Sequence, residues 1–337
     1  MTIQKSCDNP AVLRCFLAAH GLGTAVCQPL SGDASTRRYQ RLHCPGRDPL
    51  ILMQAPNPET ELDPFITVAA MLWPLGLSVP KILAADRAAG LMLMEDFGDQ
   101  TYAAVLDAGA DPWPLYRVAT DVLITLHRGF RPGHTGFRPG GPSVYNAGRF
   151  IEQVLLFPDM LFPGDTSRRA EFEEAWRVVI PAALAGPDSL LLRDYHAGNL
   201  MLLPGQSGVR ACGLLDFQDA GDGPAAYDLV SLVEDARRDL DGGLVAALFE
   251  YYLSAFPNLD RAVFARACIV LAAIRHTRVI AVFLRLAGNG KPGYLQHLPR
   301  IWRYLERHLA RPELAPVAAW FERYLPPSQR RCLYQRP

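Results

Sequence analysis

Between Leu190 and Leu203 the chain reads LLLRDYHAGNLMLL, and no other stretch limits its fold so tightly. Two apolar runs that call for burial are separated by an acid, an imidazole, a glycine and a carboxamide. Polar groups set beside a core cost free energy unless they find partners. One answer is a tight turn between two strands, since Gly and Asn are turn formers. The other is that Asp194, His196 and Asn199 are held at strand ends to do chemistry.

The next segment favours chemistry. VRACGLLDFQDAGDGPAAYDLVSL sets a second acid, Asp216, at the end of another short apolar strand, seventeen residues past Asn199. Two strand ends then carry Asp194, Asn199 and Asp216, all offering the hard oxygens that Mg²⁺ prefers. Such a set suits phosphoryl transfer. The first Asp accepts a hydroxyl proton, while the Asn carbonyl and the second Asp hold Mg²⁺ against the phosphates. No Gly-x₄-Gly-Lys-Ser/Thr occurs, so a Walker-type nucleotide site is absent.

The surrounding pattern changes character near residue 97. Upstream, TAVCQPL, RRYQRLHC, PLILMQ, VPKILAAD and GLMLMEDFG read as strands, with one helix beginning at the Asp-Pro of DPFITVAAMLWPLG. From Gln100 on, helical spacing dominates over 112–130, 147–161, 167–186 and a long tail at 225–325. A Gly/Pro-rich loop at 131–143 and three short apolar runs in 189–218 interrupt it. The expected organisation is α+β: a small β-rich amino-terminal lobe, 1–97, and a larger helical lobe, 98–337.

Composition excludes several classes. The formal net charge is zero, which argues against a nucleic-acid partner. The seven cysteines are scattered without a C-x-x-C, so neither a zinc site nor a disulfide framework is implied. The amino terminus lacks the pattern of a signal peptide, and no continuous apolar run reaches the roughly eighteen residues of a membrane span. A cytoplasmic protein with no membrane partner is expected.

With Asp-Phe on the following strand and a strand-rich lobe upstream, the chain resembles the aminoglycoside phosphotransferase/choline kinase superfamily, relatives of the protein kinases. RDYHAGNL is similar to its catalytic-loop motif and LLDFQDA to its metal motif. Within the superfamily the chain looks closest to the anomeric amino-sugar kinases, which act on N-acetylmuramate and N-acetylglucosamine in peptidoglycan recycling. That likeness lies in SGDASTRRYQRL at 31–42, AAYDLVSLVEDARRD at 225–239 and FLRLAGNGKPGYLQHLPRIWRYLERHL at 283–309. LILMQAP and LMLMEDFGD add to it, so it runs from about residue 10 to 325.

The resemblance implies a bilobal protein-kinase-like fold, ATP and Mg²⁺ as cofactors, an amino sugar as acceptor and a monomer. It implies Asp194 as catalytic base, with Asn199 and Asp216 as Mg²⁺ ligands. Ser31, Gly32, Ser35, Thr36, Arg37 and Arg38 would form the turn over the phosphates, and Met94, Glu95, Asp96 and Phe97 the hinge that meets adenine. Asp228 would orient the catalytic loop. His196, Asp219, Asp235 and Arg275 are supporting or substrate-facing candidates.

Two positions depart from the pattern. Gln54 stands where kinase-like folds carry a lysine on the third strand, and Leu192 where the catalytic motif often begins with His. Arg37 and Arg38 are the nearest replacement cations, and only one of two adjacent strand residues can face inward. Arg275, His276, Arg278 and Arg285 read as a surface stripe on the carboxy-terminal helix, or as a grip on a sugar carboxylate. Trp302 and Tyr304 read as core. Another small alcohol, such as choline or an aminoglycoside, and a non-catalytic nucleotide-binding pseudokinase remain as alternatives.

Overall fold

A five-stranded sheet and one long apolar helix belong to the two separate units into which this chain divides. The computed structural model describes residue 7 and residues 9–30, 36–131 and 143–333. Ser31, Gly32 and Ser35 of the expected phosphate turn, and nearly all of the 131–143 loop, lie outside the described residues. One unit gathers the described chain up to Gly129 and returns for Ala197–Ala220; the other gathers Val144–His196 and everything described from Gly221.

In the first unit, helix α1 (Pro10–Ala19) precedes β1 (Val26–Leu30), β2 (Arg38–His43), β3 (Leu50–Gln54), helix α2 (Pro58–Leu72), β4 (Ile82–Asp86) and β5 (Leu91–Glu95). The strands form one antiparallel sheet in the order β1-β2-β3-β5-β4. Leu42, Leu52, Leu91 and Leu93 pack with Phe16 and Leu17 of α1 on one face. By the period of two, Met53, Met92 and Met94 are buried on the other. Helix α2 starts five residues before the Asp-Pro that the sequence suggests. Pro58 at the first position makes the earlier start favourable, and Glu61 reaches back to accept the Asn57 amide at 2.8 Å.

Helices α3 (Tyr102–Asp107) and α4 (Pro112–Gly129) follow, and β8 (Leu200–Leu202) and β9 (Cys212–Leu214) return to this unit. The β8–β9 pair is antiparallel, with Leu200 opposite Leu214. It is held from both sides: the Leu202 amide donates to Gln100 O and the Leu214 amide to Ser78 O, each at 2.8 Å.

The second unit contains Val144 of β6 (Ser143–Val144), helices α5 (Ala147–Leu161) and α6 (Thr166–Ala183), β7 (Asp188–Leu191) and β10 (Gly221–Pro224). Strands β7 and β10 pair antiparallel, Leu191 opposite Gly221. The helical tail expected at 225–325 consists of α7 (Ala226–Val233), α8 (Gly242–Ser254), α9 (Arg261–Gly288), α10 (Leu298–Leu309) and α11 (Ala315–Tyr324), followed by α12 (Pro327–Cys332). Asp241 and Asp260 set two of the breaks, because their carboxylates cap the first amides of α8 and α9. Helix α9 is the one described helix long and apolar enough to cross a membrane, yet 83% of its apolar window is buried inside the protein. Helices α5, α6, α7 and α10 pack around it, which makes it a core helix. Trp302 and Tyr304 are buried, Trp302 among Phe157 and Phe321.

Gly213 ties strand β9 to the segment after β5. A Cβ at Gly213 would lie 2.8 Å from the Phe97 ring and 3.1 Å from Met201 Cβ. Gly213→Ala is therefore expected to destabilise the protein by about 1–3 kcal/mol through overpacking. Thermal unfolding reads this as a melting temperature several degrees lower; an unchanged melting temperature would mean that Phe97 yields freely.

Candidate active site

The loop that leaves β7 is pinned from behind. Both oxygens of Asp228, in the first turn of α7 and 1% exposed, accept consecutive amides, Leu192 N at 2.5 Å and Arg193 N at 2.9 Å. Arg193 takes φ 75°, a left-handed conformation that non-glycine residues rarely adopt. Burial pushes the Asp228 carboxyl up to about 7, with the two amides working against it and the Asp194 charge adding to it. Leu192, standing where the motif often has His, fills its place as a buried apolar group.

Asp194 follows directly. Its Oδ1 accepts Arg278 Nη2 at 3.1 Å, from the middle of α9. Burial would raise the Asp194 carboxyl, but Arg278, backed by Arg193, His196 and Arg275, holds it well below the ordinary range. His196 is buried, and desolvation keeps its imidazole below its usual pKa against the pull of Asp235 and Asp194. Asp235 is 2% exposed and accepts the Arg237 amide at 2.9 Å. These groups lie in one unit and share one field.

The surface stripe on α9 is not there. Arg275, His276 and Arg278 are all buried, and only Arg285 is exposed. Because helices enclose α9 on several sides, its polar groups must find internal partners. Arg275 donates Nε to Ser231 Oγ at 3.0 Å and Nη1 to Glu234 O at 3.1 Å, fixing the segment after α7.

In the other unit, the Asn199 carbonyl accepts the Leu215 amide at 3.0 Å, so Asn199 lies across from the residue before Asp216. Asp216 sits at φ 58°, again left-handed. Its Oδ1 accepts Arg37 Nη2 at 2.8 Å and Gln218 Nε2 at 3.0 Å, and Oδ2 takes no hydrogen bond among the described residues. Phe217 packs on Phe65 of α2 with ring centroids 4.6 Å apart. Asp219 is exposed and adds its charge at Arg37. A carboxamide, and a carboxylate with one oxygen unengaged, make a hard-oxygen donor set that suits Mg²⁺.

Arg37 faces inward at 9% exposure, while Arg38 at the start of β2 is exposed. Thr36 Oγ1 donates to Glu61 of α2. Gln54 is buried, accepts from Gln40 Nε2 at 3.0 Å and donates to Cys7 O at 2.6 Å, a neutral network with no cation on β3. Along the expected hinge, Met94 is buried, and the Glu95 amide donates to Lys81 O at 2.9 Å. Asp96 accepts from Arg41 and from the Gly98 amide.

Sequence reasoning missed two partners. Arg278 was legible as a cation inside the apolar run IVLAAIRHTRVIAVF, a setting that calls for a buried partner. Glu61 had no signal, because nothing local pairs it with Thr36, twenty-five residues earlier.

One more cluster has metal-ligand composition. Glu234, His276 and His308 bring one ligand atom each within 4.8 Å of one another. Glu234 accepts His276 Nε2 at 2.6 Å, His308 Nε2 at 2.9 Å, and Arg307. A metal would need the Nε2 lone pair of His276 and so move its proton to Nδ1. That atom is buried with no partner, whereas a ligating His ordinarily donates its other N–H. The cluster is therefore read as a carboxylate knot tying the end of α7 to α9 and α10.

A family profile described as "Phosphotransferase enzyme family" (APH) matches residues 26–263. A protein of Caulobacter vibrioides named N-acetylmuramate/N-acetylglucosamine kinase is 36% identical over 97% of this chain and 99% of its own. One of the same name from Pseudomonas aeruginosa is 37% identical over 93% of this chain and 94% of its own. Among solved structures, the streptomycin–ATP–APH(2")-IIa ternary complex superposes with TM-score 0.56 at 14% identity, covering 80% of this chain and 90% of that one. At that identity the match shows the kinase-like fold alone.

Two expectations follow. Asp228→Ala leaves two buried loop amides without acceptors, at about 1–3 kcal/mol each, and is expected to lower the unfolding midpoint. A midpoint within error of wild type would show that the loop keeps its form unaided. The knot around Glu234 predicts acid sensitivity. Burial lowers His276 from 6.5 to about 4, and the two imidazoles hold Glu234 below its ordinary range despite its burial. Both groups bind protons more readily unfolded than folded, so their contribution is intact above pH 6.5 and is lost as pH falls toward 4. Melting curves between pH 7 and 4 are expected to fall steeply for wild type and less steeply for His276→Gln; parallel curves would exclude the knot as the cause.

Proposed function

Since the chain belongs to the phosphotransferase enzyme family, we propose that it transfers the γ-phosphate of ATP to the anomeric hydroxyl of N-acetylmuramate or N-acetylglucosamine. The observation that carries this reading is the 36% identity shared with the Caulobacter kinase of that name across essentially both whole chains. The reading places the enzyme in the cytoplasm, as a monomer, in the recycling of peptidoglycan sugars. It assigns 1–97 as the nucleotide lobe and 98–337 as the lobe with the catalytic loop and acceptor site.

In this mechanism Asp194 accepts the proton of the acceptor hydroxyl. The sugar oxygen bonds to the γ-phosphorus, the bond to the β–γ bridging oxygen breaks, and ADP leaves. Asn199 and Asp216 would hold Mg²⁺, which when bound offsets the charge of the phosphate oxygens. Arg37 takes the part that a third-strand lysine plays elsewhere: it is the buried cation beside Asp216, and its fork suits phosphate oxygens. Thr36, with Ser31, Gly32, Ser35 and Arg38, belongs to the phosphate turn, and Met94, Glu95, Asp96 and Phe97 to the adenine hinge. Asp228 orients the loop; His196, Asp219, Asp235 and Arg275 support the acceptor side.

The test is ATP consumption against a panel of amino sugars, choline and aminoglycosides, with Asp194→Asn beside wild type. Amino sugars are expected to turn over, and the variant to lose about 10² to 10⁴ in kcat while nucleotide affinity holds. Turnover of choline or an aminoglycoside in place of the sugars would replace the acceptor assignment. An active variant would remove Asp194 from proton transfer.

A further inference from the structure

Arg278 lies in the core helix α9, 6% exposed, and one of its two edge donors is spoken for: Nη2 bonds Asp194 Oδ1 at 3.1 Å. On a guanidinium, Nε–H and one Nη–H form a fork that usually grips a carboxylate with both prongs. Here the second prong is not engaged. Nε is buried and has no hydrogen-bond partner among the described residues. The neighbouring Arg275, one turn earlier on the same helix, is different: its Nε and Nη1 both have partners. A buried donor without an acceptor is uncommon and calls for an explanation. An acceptor atom within reach of Nε–H would sit beside the Asp194 carboxylate, where the reacting hydroxyl must be.

We propose that Arg278 is a catalytic residue whose Nε–H donates to the acceptor hydroxyl oxygen while Nη2 holds Asp194. The inference rests on the sugar-kinase reading above and names a group that acts on the same oxygen. The hydroxyl gives its proton to Asp194 and receives a hydrogen bond from Arg278. As its O–H bond breaks and its bond to the γ-phosphorus forms, the charge developing on that oxygen faces the guanidinium. Arg278 keeps its own protons throughout, and Asp194 returns the transferred proton to solvent.

The arrangement answers a difficulty in the base. With Arg278 beside it, Asp194 sits well below the ordinary carboxylate range and is a weak proton acceptor. A weak base serves best when the hydroxyl is made more acidic from its other side. An anomeric hydroxyl, the most acidic on a sugar, suits that pairing.

The experiment measures kcat and KM for N-acetylglucosamine and for its N-trifluoroacetyl analogue, whose anomeric hydroxyl is more acidic, in wild type, Arg278→Met and Arg278→Lys. Arg278→Met is expected to lose about 10²-fold in kcat with the KM for ATP unchanged, in the range of an oxyanion donor. Its loss is expected to shrink several-fold on the more acidic acceptor. Arg278→Lys, which keeps the charge but not the fork, is expected to fall between and guards against misfolding of the uncharged variant. Equal losses on both acceptors in both variants, or changes confined to KM, would overturn the proposal and leave Arg278 a packing or binding group. The panel above judges the acceptor assignment on wild type alone, so its failure is told apart from a failure here, which is read from the ratio of wild type to variant on whichever acceptor turns over.

Discussion

The Asp228 carboxylate, buried in the first turn of α7, accepts the amides of Leu192 and Arg193, and the form of the loop after β7 hangs on that pair of bonds. A left-handed Arg193 costs free energy. Two charge-assisted hydrogen bonds on successive amides offset the cost and turn the chain so that Asp194 comes next. The carboxylate is itself held at a disadvantage, since burial raises it to about 7. A group so placed is a positioning device: it gives up stability near neutrality to fix a backbone.

The same logic repeats at Asp216. That residue too is left-handed, at φ 58°. Its surroundings are crowded by necessity: Phe217 lies on Phe65, Gly213 leaves room for Phe97, and the Leu214 and Leu215 amides are bound to Ser78 O and Asn199 O. Strain and close packing alternate along five consecutive residues, so the carboxylate has little freedom to turn away. Preorganisation of this kind is what electrostatic catalysis requires, since a group that must reorganise during the reaction gives up much of its effect.

How much of this could be read in the chain depended on distance. The strand ends, the order of polar residues in RDYHAGN and the boundaries of α4, α5 and α6 were legible, because period and capping are local. Asp194 and Asn199 stood out because apolar runs flank their segment on both sides, and Asp216 because it ends such a run. Long-range choices were not legible. Nothing in RHTR distinguishes a solvated face from a buried one until helices are packed around α9, and the burial of Arg275 and Arg278 followed from that packing. Likewise Gln54 reads as a lost lysine in sequence, whereas in the fold it is a satisfied amide between Gln40 and Cys7 O.

Arginine serves as a buried cation in each of the two units. Arg37 and Arg278 are each at most 9% exposed, and each bonds one oxygen of an acid with an assigned role, Asp216 and Asp194. A lysine buried to that degree loses its proton readily, because desolvation disfavours its charged form. Arginine does not, and its planar fork can serve a carboxylate and a second oxygen at once. At Asp194 the cation holds the carboxyl well below its ordinary range, against a burial that would raise it. Strand β3 carries the neutral Gln54, and the buried cation bonded to Asp216 is Arg37, just before β2, whose charge does not depend on how deeply it is buried.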